Sequence, residues 1–192
     1  LVSFFAGGND VIRRGDPDAI ASDIEIAVAQ LAETGTDIIL WTGPDVGNTP
    51  VLNLIRGRSA IYNENMRTIA KRYNTFVVDL WATRQLVHEG MWAEDRLHFS
   101  PLGHHTIARE VLATLDVPNE LREFKPHDPP QRTWRQAAEK DLVWARDHLG
   151  PWVMRRIRGE SSGDAIHPKR PEASPVFGEG LSLIHISEPT RP

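Results

Sequence analysis

A chain of 192 residues, 40% hydrophobic and 25% charged, with a formal net charge of -4, has the make-up of a globular domain large enough to enclose a real core. That charge gives no bulk electrostatic case for nucleic-acid binding, and no apolar run approaches the roughly 18–20 residues needed to span a bilayer. Disulfides and thiolate metal sites are excluded because there is no cysteine, a composition compatible with a reducing, cytoplasmic compartment without requiring one.

The chain opens on Leu1 with strand formers directly at the terminus, which reads as a fragment. Leu1 to Phe5 is the first predicted strand, and "GGND" (Gly7 to Asp10) follows it. Pro17 to Thr34 places Ile20, Ile24, Ala27, Val28 and Leu31 on one helical stripe, with Pro17 suited to a first turn and Gly35 to a C-terminal stop. Asp37 to Thr42 and Thr75 to Leu80 are the second and third strands, and Ser59 to Tyr73 between them repeats the helical pattern. Ser100 and Pro101 then predict an N-cap and first turn for a helix whose buried face is Ile107, Val111, Leu112 and Leu115. Asp116 to Pro130 is proline-punctuated loop. Gln131 to Leu149 is amphipathic again, and a basic piece, "PWVMRRIRGE", precedes a Gly/Ser/Pro-rich tail from Ser161 that is expected to be mobile. The division is therefore 1–116 as the main domain, 117–160 as a helical extension and 161–192 as tail. "LSLIHISEPTR", Leu181 to Arg191, resembles a translated sequencing-library adapter, so 181–192 is set aside from fold and function, His185 included.

Continuous rather than alternating apolar runs suit strands covered on both faces, and strand alternating with helix argues for right-handed crossovers and a parallel sheet. Ligands in such folds bind beyond the carboxyl ends of the strands. The segments there are "GGND", "TGPD" (Thr42 to Asp45) and the loop reaching "DRLH" (Asp95 to His98). A histidine base needs one ring nitrogen held by an acceptor so that the other presents a lone pair, and Asp95 and His98 lie close enough to do this. Asn9, flanked by glycines such as Gly8 that let a ligand approach the backbone, is able to donate its amide to a developing oxyanion. Each has an ordinary alternative: two loop residues near a helix start, and a tight Gly-Asn-Asp turn. A metal site from Asp95, His98, His104 and His105 is disfavoured, since adjacent helical histidines diverge by about 100°. "RRIR" (Arg155 to Arg158) is better read as a solvated face than as a membrane or nucleic-acid contact.

Together, "GGND" and "DRLHFSPLGH" resemble the SGNH (GDSL-type) hydrolase family. The wider text "SFFAGGNDV", "YNENMR", "VDLW" and "MWAEDRLHFSPLGHHTIA" is similar to its actinobacterial branch, and "WARDHLGPWVMRRIRGESSGD" to that branch's C-terminal extension. The resemblance implies a three-layer α/β/α sandwich with a parallel, flavodoxin-like sheet. It implies His98 as general base, Asp95 as its orienter, Asn9 as an oxyanion donor, Gly8 at the substrate, and no metal or organic cofactor. No Gly-Asp-Ser nucleophile block occurs in the sequence. At about 30 residues per βαβ unit, the expectation is that two upstream βα units, roughly 60–70 residues, are lacking. The first strand would then have an open apolar edge, and the chain would be poorly soluble and inactive. The complete protein would cleave a small-molecule acyl or acetyl ester, without nucleic acid or stable membrane insertion. A pseudoenzyme or binding module, and a sugar- or lipid-directed deacetylase, are the rival readings. Oligomeric state and any signal peptide are open.

Overall fold

The computed structural model describes residues 1–13, 15–47, 52–127 and 133–151, together with 154, 158, 167 and 172. Three strands, β1 (Val2–Phe4), β2 (Ile38–Thr42) and β3 (Phe76–Asp79), form a parallel sheet in the order β1-β2-β3. Val2, Ser3 and Phe4 pair with Ile38, Ile39 and Leu40, and Ile39 to Thr42 pair with Phe76 to Asp79. Each strand is within a residue of its expected bounds at either end. Full coverage on both faces holds for β2, the central strand, in which every residue but Trp41 is buried. β1 and β3 are the sheet's edges among the described residues, and their side chains are more exposed than their apolar sequences predict.

The helices form where local chemistry starts and stops them. Helix α2 (Pro17–Glu33) opens on Asp16, whose carboxylate accepts the Asp18 N–H at 3.1 Å, with Pro17 at the first position. It ends before Gly35, which takes a φ of +71°. Helix α3 (Arg56–Tyr73) begins three residues before the expected Ser59, because a 3-10 turn over Leu52–Ile55 feeds straight into it, and it stops at Asn74 in the left-handed region. Helix α4 (Pro101–Thr114) is capped as expected: the Ser100 hydroxyl accepts the Gly103 N–H at 3.2 Å.

Alternation along β2 divides the core into two layers. Ile38 and Leu40 join Ile24 and Val28 of α2 and Tyr62, Met66 and Ile69 of α3. Ile39 faces the opposite layer with Val78, Leu80, Leu86 and Met91, against which Leu102, Ile107 and Val111 of α4 pack. Helices therefore cover both faces, and the α/β layering with a parallel sheet agrees with expectation. "GGND" departs from the simple turn: it opens a short helix, α1 (Gly8–Ile12), whose Val11 is buried in the first layer.

The chain divides into two compact units, Leu1–Lys140 and Asp141–Pro192, the first of which carries the sheet. Helix α5 (Trp134–Trp144) starts with a reciprocal cap, Thr133 N–H to Gln136 Oε1 at 2.9 Å and Gln136 N–H to Thr133 Oγ1 at 3.4 Å. None of its residues is buried, so its apolar stripe does not build a core in the way the pattern suggests. The expected tail, including Leu181 to Pro192, lies outside the described residues apart from the isolated positions, as do Arg155, Arg156 and Ile157 of the basic piece. Among the described residues no helix is long and apolar enough to cross a membrane.

Leu40 is fully buried at the centre of the sheet. Leu40→Ala is expected to lower stability by about 2–5 kcal/mol, seen as a reduced urea midpoint with an unchanged slope.

Candidate active site

The connection from β3 to α4 holds Asp95 and His98, and it is fastened at both ends. Trp92 and Phe99 form an antiparallel bridge, and their rings lie 4.6 Å apart. The Trp92 indole N–H donates to the Leu86 carbonyl at 2.7 Å, and Ala93 N–H donates to the His98 carbonyl at 2.8 Å. Ser100 ties this loop to the helix that follows: its hydroxyl donates to the Gly90 carbonyl at 2.7 Å, while its N–H donates to the Met91 carbonyl at 2.9 Å. Gly103 passes so close to that same carbonyl that a Cβ there would drive into it. The glycine of "SPLGHH" is thus required by close approach within a helix, not by an unusual backbone angle.

Asp95 organises the loop interior. Its Oδ1 accepts the N–H groups of Leu97 and His98, each at 3.0 Å, and its Oδ2 lies 2.6 Å from His98 Nδ1. Arg96, between them, takes a left-handed φ of +57° so that the chain wraps around the carboxylate. Burial by itself would raise the Asp95 pKa, but the His98 amide and ring and the Leu97 amide outweigh it and hold the group below the usual range. An ionised carboxylate only accepts, so Nδ1 carries a proton, and in the neutral tautomer of the ring the lone pair lies on Nε2. The His98 side chain is 65% exposed against 19% for Asp95. A shielded carboxylate therefore holds an accessible imidazole, a geometry suited to proton transfer.

Asn9 stands on a different support. Gly7 precedes α1 with a φ of +79°, and a Cβ there would lie 2.9 Å from Ile20 Cγ2 and 3.0 Å from the Tyr62 ring, so only glycine fits. The Tyr62 hydroxyl donates to the Ala6 carbonyl at 2.7 Å, and burial pushes its pKa up to about 12. Asn9 itself is exposed, and among the described residues its side-chain amide makes no hydrogen bond. A Cβ on Gly8 would meet nothing within 4 Å. Asn9 and Gly8 follow β1, while Asp95 and His98 lie on the long connection that follows β3; parallel strands make both segments leave the sheet at the same carboxyl edge. Direct contact is observed between Asp95 and His98. The His104 ring packs edge-to-face with Phe99, and the His105 Nε2–H donates to the Arg122 carbonyl at 2.7 Å. Among the described residues no cluster of His, Cys, Asp and Glu is placed to hold a metal ion.

Three polar anchors at this edge were not legible in the sequence. Asn63, fully buried on α3, donates to the Gly43 carbonyl at 2.9 Å and accepts the Gly43 N–H at 2.7 Å. Asp79 accepts the Thr42 hydroxyl at 2.8 Å and a bidentate Arg67. Asp45, of the "TGPD" segment, receives Arg56 and Arg84 from 11 and 39 residues away, separations at which no spacing pattern could pair them. The Arg56 guanidinium is the largest influence holding the Asp45 pKa down, to about 2, against the burial that would raise it.

Two expectations follow. An aspartate with a lowered folded-state pKa contributes stability above its unfolded value and loses it as pH falls through the folded one. For Asp45 that window runs from the ordinary 3.8 down to about 2. Asp45→Asn is expected to cost on the order of 2 kcal/mol at pH 7 and to flatten the acid limb of the stability curve; parallel wild-type and variant curves from pH 5 to pH 2 would contradict this. Gly103→Ala is expected to lower stability by about 1–3 kcal/mol through overpacking and to displace the His98 ring signals in NMR spectra.

Residues 1–106 match the sequence profile of the GDSL-like lipase/acylhydrolase family. No curated protein matches the chain. Among solved structures it is similar to that of LAE5, an alpha/beta hydrolase enzyme from the metagenome of Lake Arreo, Spain, with 28% identity and a TM-score of 0.52. The likeness covers 62% of this chain and 61% of that one, so the chain spans about three fifths of the length of LAE5. With a match that runs from β1 through the Asp95–His98 loop into α4 and takes in more than half of the 192 residues, the chain belongs to the GDSL-like lipase/acylhydrolase family.

Proposed function

We propose that this chain carries the base half of a serine ester hydrolase acting on acyl or acetyl esters, and that residues outside these 192 supply the nucleophile. The observation that carries the reading is the 2.6 Å contact of Asp95 Oδ2 with His98 Nδ1, which, among the described residues, leaves Nε2 free on a side chain that is largely exposed. Membership of the acylhydrolase family supports ester chemistry. The 61% span of LAE5, with no Gly-Asp-Ser in the sequence, supports a nucleophile from elsewhere. The outer side of β1 is then where a preceding strand pairs.

In this mechanism a serine hydroxyl attacks the ester carbonyl while His98 Nε2 takes its proton. Asp95 steadies the imidazolium, and the Asn9 amide donates to the tetrahedral oxyanion, with Gly8 leaving space for the substrate. Collapse expels the alcohol, which receives the proton from His98. Water then repeats the attack on the acyl-enzyme, with His98 again as base, and releases the acid and the serine.

The 192-residue chain alone is expected not to hydrolyse a short-chain p-nitrophenyl ester; turnover abolished by a serine-directed phosphonate would overturn the assignment of the nucleophile to another segment. In the protein extended by its upstream coding sequence, His98→Ala is expected to lower kcat by about 10²–10⁴-fold. Unchanged activity would remove His98 as base, and an extended protein without any turnover would favour a binding module.

A further inference from the structure

Asp45 is buried, with its side chain 4% exposed, and its carboxylate is filled by donors from three places. Oδ1 accepts Arg56 Nε at 2.6 Å and the Gly47 N–H at 3.0 Å; Oδ2 accepts Arg56 Nη2 at 2.8 Å and Arg84 Nη1 at 3.1 Å. These use the roughly four lone-pair positions a carboxylate offers. Asp45 is therefore unavailable as a base or ligand. One negative charge faces two guanidinium groups, which leaves a net positive charge at the cluster.

The arginines are not consumed by this arrangement. Arg84 is 68% exposed and Arg56 48% exposed. Among the described residues, Arg84 makes no hydrogen bond or ion pair besides that to Asp45, so most of its five N–H donors remain available. The Arg56 guanidinium lies over the Trp81 ring, 5.5 Å from its centroid, and Trp81 is held at the end of β3 by its N–H donating to the Thr42 hydroxyl at 3.1 Å. Fixing two long side chains in advance lowers the entropy lost when they bind something. The cluster stands on the segments that follow β2 and β3, the second of which also leads to Asp95 and His98.

We propose that Arg56 and Arg84, held on Asp45 and backed by Trp81, form an oxyanion-binding site that selects esters bearing a second, anionic group, a carboxylate or a phosphate. A planar guanidinium fork matches either group. The site rests on the hydrolase reading for its purpose, but binding to it requires no nucleophile.

The test uses the chain itself. Sodium succinate and sodium phosphate are titrated against sodium chloride at matched ionic strength, with the Arg56 Nε–H and Trp81 indole N–H signals followed by NMR. Saturable shifts with succinate or phosphate and none with chloride are expected; tighter succinate binding identifies a carboxylate-bearing ligand, tighter phosphate binding a phosphoryl-bearing one. Arg84→Gln is expected to weaken binding about tenfold, as loss of a charged donor implies. Arg84→Lys, which keeps the charge without the fork, is expected to weaken it less. No saturation up to roughly 50 mM, or equal affinity in wild type and Arg84→Gln, would overturn the proposal. Failure here leaves the His98 assignment untouched, while an extended protein that binds anions without turnover removes the hydrolase reading and keeps the site.

Discussion

Strand β2 has to bury side chains on both of its faces, and the arrangement around it follows from that demand. Ile38 and Leu40 need one apolar layer and Ile39 another, so α2 and α3 lie on one side and α4 on the other. Parallel pairing with β1 and β3 then brings all carboxyl ends to one edge. At that edge β2 ends in Thr42, which is fully buried and cannot be left unpaired without cost. Its hydroxyl donates to Asp79 and accepts the Trp81 N–H, so the end of β2 is joined to the start of the long connection that reaches His98.

The edge is built from polar groups that are stiff where they are buried and open where chemistry needs access. Asn63 and Tyr62, neighbours on α3, hold different loops: Asn63 clasps Gly43 after β2, and Tyr62 holds Ala6 after β1. Of the two, Tyr62 holds the segment that leads directly to Gly8 and Asn9. Asp95 works in the same way at shorter range, spending its oxygens on two amides and an imidazole of its own loop. The left-handed Arg96 is the local strain that this wrapping requires, and the hydrogen bonds around Asp95 offset it.

Charge is distributed with equal economy. Asp79 and Asp45 both sit just beyond strand ends and both bind arginine, but to different effect. Asp79 pairs with Arg67 while also accepting Thr42 and Ala82, and so ties α3 to the sheet. Asp45 faces two arginines with one charge and leaves the excess at the surface. Within one edge, the same residue types yield a structural tie in one place and an electropositive patch in another, because the ratio of guanidinium to carboxylate differs.

The sequence by itself determined the strands, the principal helices and their order, and it offered the Asp95–His98 pairing beside an ordinary loop reading. These rest on interactions within a few residues: apolar periodicity, the Ser100 cap, and a carboxylate that reaches an imidazole three positions on. It also marked the glycines of "GGND", Gly7 and Gly8, as a place where backbone comes close to a ligand, and it did not single out Gly103. Only the tertiary structure showed that Tyr62 and Ile20 crowd Gly7 and that the Met91 carbonyl crowds Gly103. It likewise decided that, among the described residues, β2 is the strand buried on both faces and that "GGND" opens a helix. The partners of Asp45, Asp79 and Asn63 were beyond sequence reasoning because each interaction joins elements brought together by sheet pairing and layer packing. Such contacts depend on where whole elements come to rest, which no local spacing records.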